Sequence, residues 1–152
     1  MGLGEYEKKR RLGKTTEPFD SDVSLERPIY VIHEHHASHL HWDLRLEFNG
    51  VLRSWAIPKE PPAEAGVKRL AVEVEDHPLS YAGFSGTIPE GEYGAGKVTI
   101  WDRGTFDVIE ESEDKYVLDI KGEKLRGTYN LIRTNMGGKR RNWLIFRRSA
   151  HS

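Results

Sequence analysis

The nine residues "LHWDLRLEF", Leu40 to Phe48, alternate apolar and polar without a fault and run straight into Asn49-Gly50. Successive side chains of a strand point to opposite faces. Leu40, Trp42, Leu44, Leu46 and Phe48 therefore share one face, and His41, Asp43, Arg45 and Glu47 share the other. A helix would scatter both sets. Asn-Gly is the strongest short hairpin signal, so "VLRSWAIP" is expected to return as an antiparallel partner. The same β-branched and aromatic composition recurs in "IYVIHE", "RLAVEVE", "KVTIWD", "TFDVIE", "KYVLDIK", "GTYNLIR" and "NWLIFRR". Short strands divided by turn formers predict a mainly β, antiparallel sandwich or small barrel.

At 152 residues the chain suits one domain. Residues 1–28 read as a polar arm in which "EYEKKRRL" forms a short helix. Residues 29–148 read as the β domain. "PPAEAGVK" and "HPLSYAGFSGTIPEGEYGAG" read as loops, and the second is long enough to suspect function. No apolar run approaches the roughly 20 residues that span a bilayer, and no signal-peptide pattern opens the chain. The expected location is cytoplasmic, without a membrane partner. There is no cysteine, so any metal site must use His, Asp, Glu or backbone oxygen.

The net charge of −1 says nothing for nucleic acid by itself. Basic residues gather at Lys8-Lys9-Arg10-Arg11, Lys139-Arg140-Arg141 and Arg147-Arg148, and acids at Glu110-Glu111-Ser112-Glu113-Asp114. Such runs are either solvated faces or phosphate contacts.

Five histidines, at 33, 35, 36, 39 and 41, stand at the head of the alternating stretch. Side chains two apart on a strand are about 7 Å apart and point the same way. His41, Asp43 and Arg45 thus line one row. Ligand atoms lie about 2 Å from a divalent ion, so His41 and Asp43 can converge on one ion, with His35 from the neighbouring segment as a third ligand. Arg45 would then hold an anion beside the metal. The other reading makes the row the wet face of an amphipathic strand. His36 and His39, near a turn, read as surface residues. His33 reads either as support behind the ligands or as surface. "HEHHA" does not make an H-E-x-x-H zinc helix. "GEYGAGKV" nearly spells a phosphate loop, but Val98 replaces the Ser/Thr and a strand follows, so its glycines read as a tight turn or a close backbone approach. His77, in "VEDHPLSY", is an imidazole at a strand exit, either an ordinary turn residue or a group at the rim of the site. Lys59 and Arg69, flanking the Pro-rich loop, read as solvated charges unless recruited.

Three blocks carry a resemblance: "HEHHASHLHWDLRLEFNGVLRSWAIPKEP", "KRLAVEVEDHPLSYAGFSGTIPEGEYGAGKVTIWDRGTF" and "GEKLRGTYNLIR". Together they resemble the 3'-phosphoesterase module of the bacterial DNA ligase D family and its stand-alone archaeal relatives. The combination of H-x5-H-x-D-x-R, V-E-D-H-P-x3-Y and I-P-E-G-x-Y-G-A-G, in that order, is specific. No ligase or polymerase domain fits in this length, so the resemblance is to the stand-alone form.

The resemblance implies a compact closed or partly closed antiparallel β-barrel with a short packed helix. It implies action on DNA or RNA 3' ends, especially ribonucleotide-terminated primer-templates. A phosphodiesterase step would remove the terminal ribonucleoside, and a phosphomonoesterase step would leave a 3'-hydroxyl for a DNA ligase acting in trans. It implies Mn2+, or another divalent ion such as Co2+ or Zn2+, held by His35, His41 and Asp43. Arg45 and His77 correspond to residues that engage the scissile phosphate, and Tyr81 and Glu75 to functional positions of the same pocket. Lys59 and Arg69 match basic residues on the substrate side, and in the arm Arg10 and Glu17 match as well. Two positions depart from the pattern. His33 stands where Gln is common, and Arg11 stands where the arm carries an acid tied to the phosphomonoesterase step. Two rival readings are a non-catalytic barrel that binds nucleic-acid ends as a repair adaptor, and a hydrolase of small phosphate esters.

Overall fold

The computed structural model describes residues 26–91, 95–134, 138 and 140–149. The expected arm helix, Arg10, Arg11 and Glu17 lie outside the described residues. Nine strands follow one another: β1 Ile29–His36, β2 Leu40–Phe48, β3 Val51–Ile57, β4 Lys68–Pro78, β5 Gly86–Ile88, β6 Gly96–Ser112, β7 Lys115–Lys121, β8 Arg126–Arg133 and β9 Asn142–Arg147. Eight of them close in the order β1-β2-β3-β4-β9-β8-β7-β6, with β6 returning to β1. Every pairing between these strands is antiparallel. This is the closed barrel expected of the sequence. The short helix is a 3-10 turn, Leu79–Gly83, whose Ala82 is buried.

The Asn-Gly turn behaves as its sequence requires. Asn49 and Gly50 both take positive φ, 54° and 83°, the conformation of a two-residue hairpin turn. Phe48 pairs with Val51 across it, which sets the register of β2 against β3 down to Trp42 and Ile57.

One expected boundary is absent. "KVTIWD" and "TFDVIE" are a single strand, β6, that runs through Gly104. A Cβ on Gly104 would stand 2.0 Å from the Lys121 carbonyl oxygen. The glycine therefore lets β6 lie close against the end of β7 and makes no turn. The acidic run from Glu110 to Asp114 forms the tip of the β6–β7 hairpin. There Asp114 pairs with Arg133 at 2.8 Å and with Arg140 at 3.6 Å. Arg140 of the basic cluster near the end of the chain is thus turned toward acids.

The barrel interior is one cluster to which all eight strands contribute, with Tyr30, Leu44, Trp55, Ala71, Phe106, Leu118, Tyr129 and Trp143 among its members. Burying side chains of this size contributes on the order of 1.5–3 kcal/mol each for the larger aliphatic and aromatic residues. Tyr30 and Ile32 of β1 and Leu44 and Leu46 of β2 face inward. The odd-numbered residues face outward, yet they are not solvated. Ile29, Val31, Leu52 and Ala82 form a second small cluster on that outer wall, packed against Leu79, Tyr81 and Ile100. The segment after β4 folds back over the wall and roofs it. Leu40, at the first position of β2, is 41% exposed.

Candidate active site

The polar row of β2 lies beneath that roof. Asp43 is 6% exposed and Arg45 4% exposed, so the wet-face reading does not apply to them. Register explains the gathering. His35 stands opposite His41 and His33 opposite Asp43 in the β1–β2 ladder. Paired residues of a ladder put their side chains on the same face. Two histidines from β1 and the row from β2 therefore meet on the outer wall. Glu47, the last member of the row, is taken up by the start of β1: it pairs with Arg27 and accepts from the Ile29 amide at 2.9 Å.

His35, His41 and Asp43 each offer a ligand atom, and these atoms all lie within 4.8 Å of one another. Each imidazole is oriented from behind by a backbone carbonyl. His35 Nε2 donates to the Ala95 oxygen at 3.0 Å, which leaves Nδ1 toward Asp43 Oδ2, 3.7 Å away. His41 Nδ1 donates to the His39 oxygen at 3.2 Å, which leaves Nε2 toward Asp43 Oδ1, 3.2 Å away. A carbonyl behind each ring fixes the tautomer that a metal ligand needs. Two imidazoles and one carboxylate fit a divalent transition ion. Burial opposes the charge of Asp43, but the His35 and His41 rings beside it, together with the Arg45 guanidinium, hold its carboxyl well below the usual range. The hydrogen bond to Asp43 raises His41. His36 turns away to Glu34 at 2.8 Å, and His39 is exposed.

Arg45 is held on several sides. Nε donates to His33 Nδ1 at 3.1 Å, Nη1 to Ser54 Oγ at 2.8 Å, and Nη2 to Asp43 Oδ2 at 3.4 Å. Nη1 also lies 3.2 Å from His77 Nδ1, and the guanidinium carbon sits 4.9 Å from the centre of the Tyr81 ring. His33 is fully buried, which removes its surface reading. Burial, with Arg45 beside it, pushes His33 down to about 3. The same two causes push His77 down to about 4. Both rings are neutral at neutral pH.

His35, His41, Asp43, Arg45 and His77 line one open cavity of about 590 Å³, together with Glu75, Tyr81 and small apolar residues such as Ala56 and Val74. Lys59 and Arg69 are not in its lining. Arg69 Nε donates to the Glu60 oxygen at 2.9 Å and so braces the loop that carries Lys59. Three contributors had no legible signal in the sequence: Ser54, the Phe84 carbonyl and the Ala95 carbonyl. Ser54 sits in an ordinary strand, and backbone carbonyls carry no residue signature. Gly96 does have one. A Cβ there would stand 2.3 Å from the His36 oxygen, so glycine lets β6 enter beside β1 and brings the adjacent Ala95 carbonyl to His35. This is the close backbone approach expected of "GEYGAGKV".

A closed barrel with a His–His–Asp group and a buttressed arginine in one outer-wall pocket defines a small β domain built around a candidate metal-and-anion site. Comparison with known proteins gives the family. Residues 33–133 match the family model described as the DNA Ligase D 3'-phosphoesterase domain, and the chain belongs to that family. It is 46% identical over 156 residues to the multifunctional non-homologous end joining protein LigD of Pseudomonas aeruginosa, covering 94% of this chain and 18% of that protein. The corresponding protein of Mycobacterium tuberculosis is 46% identical over 151 residues, covering 95% of this chain and 19% of the relative. That of Mycolicibacterium smegmatis is 42% identical over 158 residues. The chain thus spans about a fifth of the length of these relatives. Among the described residues, no helix is long and apolar enough to cross a membrane.

Proposed function

We propose that the protein is a metal-dependent phosphoesterase that heals 3' ends of DNA or RNA. It removes a 3'-terminal ribonucleoside and then the remaining phosphate, leaving a 3'-hydroxyl for a ligase. The observation that carries this reading is the juxtaposition, in one pocket, of three ligand atoms within 4.8 Å of one another and a buried guanidinium 3.4 Å from the shared carboxylate. An ion and an arginine so placed address the same phosphate.

A divalent ion, Mn2+ in this reading, would be held by His35, His41 and Asp43 and would supply charge neutralisation at a non-bridging phosphate oxygen. Arg45 would place its guanidinium charge beside the same phosphate. His77 is neutral at neutral pH, so it acts as a hydrogen-bond donor. Its Nδ1 lies 3.2 Å from Arg45 Nη1 and 3.2 Å from the Glu75 carbonyl oxygen, which sets the ring beside the guanidinium. Tyr81 covers the guanidinium and fixes its plane. Glu75, exposed at the pocket wall, is the carboxylate placed to accept from a ribose hydroxyl or an attacking water. Lys59 and Arg69, outside the pocket lining, serve the flanking strand, and Arg10 and Glu17 belong to the arm's share of the substrate. Affinity for the nucleic acid falls with salt. By this reading the protein works in the cytoplasm with a ligase acting in trans, and it serves end joining, the process that the names of its relatives state for them.

The test is a primer–template ending in a single 3' ribonucleotide, incubated with protein and Mn2+. The expected product is shortened, first to a 3'-phosphate end and then to a 3'-hydroxyl, and EDTA stops the reaction. Unchanged substrate with EDTA-indifferent end binding would favour an adaptor. Faster turnover of an aryl phosphate than of DNA ends would favour a small-ester hydrolase. A separate 3'-phosphate substrate reads whether Arg11 leaves the second step intact.

A further inference from the structure

His33 is the one imidazole of the pocket that faces neither the cavity nor solvent. It is fully buried, and it is absent from the cavity lining. Both its ring nitrogens are committed. Nδ1 accepts from Arg45 Nε at 3.1 Å, which requires the single ring proton to be on Nε2. That proton is donated to the Phe84 carbonyl at 3.1 Å. Phe84 closes the 3-10 turn, its amide donating to the Tyr81 oxygen at 3.0 Å. Its ring stacks on Tyr81 at 5.0 Å between centroids with 11° between planes, and Tyr81 covers Arg45. The chain of contacts therefore returns to its start: Arg45, His33, Phe84, Tyr81 and Arg45 again.

We propose that His33 is a positioning residue that locks the orientation of Arg45 to the seating of the roof segment over the pocket. The idea rests on the phosphate role assigned to Arg45 above. The guanidinium is planar, so the bonds from Nη1 to Ser54 and from Nε to His33 together fix the plane that Tyr81 covers. Because the same imidazole donates to Phe84, lifting the roof strips His33 of its acceptor and releases the tautomer that receives Nε. Roof closure and a correctly aimed guanidinium are one event. His33 itself lies outside the cavity lining and acts only through Arg45.

A Gln side chain supplies both functions, an acceptor oxygen and a donor nitrogen about as far apart as the two ring nitrogens. Alanine supplies neither. The three proteins, wild type, His33→Gln and His33→Ala, are compared in their Mn2+-loaded form. In His33→Ala, kcat on the ribonucleotide-ended primer and affinity for inorganic phosphate are each expected to fall about 10- to 100-fold, while Mn2+ affinity stays within about twofold. Amide hydrogen exchange across residues 79–86 is expected to quicken several-fold in the same protein, and His33→Gln is expected to restore all three readings. Wild-type phosphate affinity in His33→Ala overturns the proposal, as does His33→Gln behaving like His33→Ala. Unchanged exchange over residues 79–86 in His33→Ala breaks the link to the roof. If the wild-type protein fails to turn over the primer, the proposed function falls, while phosphate affinity and hydrogen exchange still decide the role of His33.

Discussion

Asp43 Oδ1 lies 3.2 Å from His41 Nε2, although the two side chains leave the same strand only two residues apart. Their neighbour Arg45 reaches the other carboxylate oxygen at 3.4 Å. One carboxylate thus joins the candidate ligand group to the Arg45 guanidinium.

Asp43→Asn removes a ligand charge and leaves Arg45 facing an amide. Mn2+ affinity is expected to fall by more than the roughly 10- to 100-fold that losing a residue behind a ligand costs. Calorimetric titration with Mn2+ measures it. His36→Ala serves as the contrast, because His36 is engaged by Glu34 outside the ligand group, and its titration is expected to match wild type.

Arg45→Lys keeps the positive charge and loses the fork, so it cannot serve His33, Ser54 and Asp43 together. Turnover is expected to drop about 10²- to 10³-fold, the scale of losing one preorganised donor at developing charge. Mn2+ binding is expected to persist. Equal turnover in the two proteins would remove the guanidinium geometry from the mechanism.

Acid sensitivity follows from His33. Its pKa falls from 6.5 to about 3 on folding, so the unfolded chain takes up a proton that the folded one refuses. The sign is that of a depressed base: its contribution is complete above pH 6.5 and is lost as pH falls toward 3. The amount is on the order of 4–5 kcal/mol. His33→Gln is expected to flatten the curve of unfolding free energy against pH across that window. Urea titrations at a series of pH values give the curve, and a slope equal to wild type would contradict the assignment.

Asp102 tests the barrel at the opposite pole of β1. It is 2% exposed and accepts from the Tyr30 hydroxyl at 2.7 Å and from the amides of Glu123, Lys124 and Leu125 at 2.8, 2.9 and 2.9 Å. Asp102→Ala leaves the buried Tyr30 hydroxyl and Leu125 amide without their acceptor, and each buried unsatisfied donor costs about 1–3 kcal/mol. A loss of roughly 3 kcal/mol or more is expected in denaturant unfolding, with Mn2+ affinity of the remaining folded protein unchanged.

The barrel and the ligand row were legible because both rest on a period of two. Leu44 and Leu46 declare the inside, and the same count puts His41, Asp43 and Arg45 together on the other face. Polarity misled at one point: the row looks solvated, but a roof 35 or more residues downstream covers it. The partners of Arg45 were the illegible part. Ser54 meets it only through the β2–β3 register and His33 only through the β1–β2 register, while Phe84 contributes a carbonyl, which every residue possesses. Gly104 misled for a related reason. A glycine that permits close approach and one that makes a turn look alike until the neighbouring strand is known.

The cylinder is closed by the β1–β6 ladder, in which His33 stands opposite Ile100 and His35 opposite Val98. The residue before β6, Ala95, supplies the carbonyl behind His35. The seam that turns a sheet into a barrel is thus also the edge of the site. On the proposed reading, an ion held by His35, His41 and Asp43 would be a clasp on that seam. Loading it would stabilise the closed barrel, so occupancy and resistance to unfolding would rise together, as mass action requires of anything bound only by the folded form.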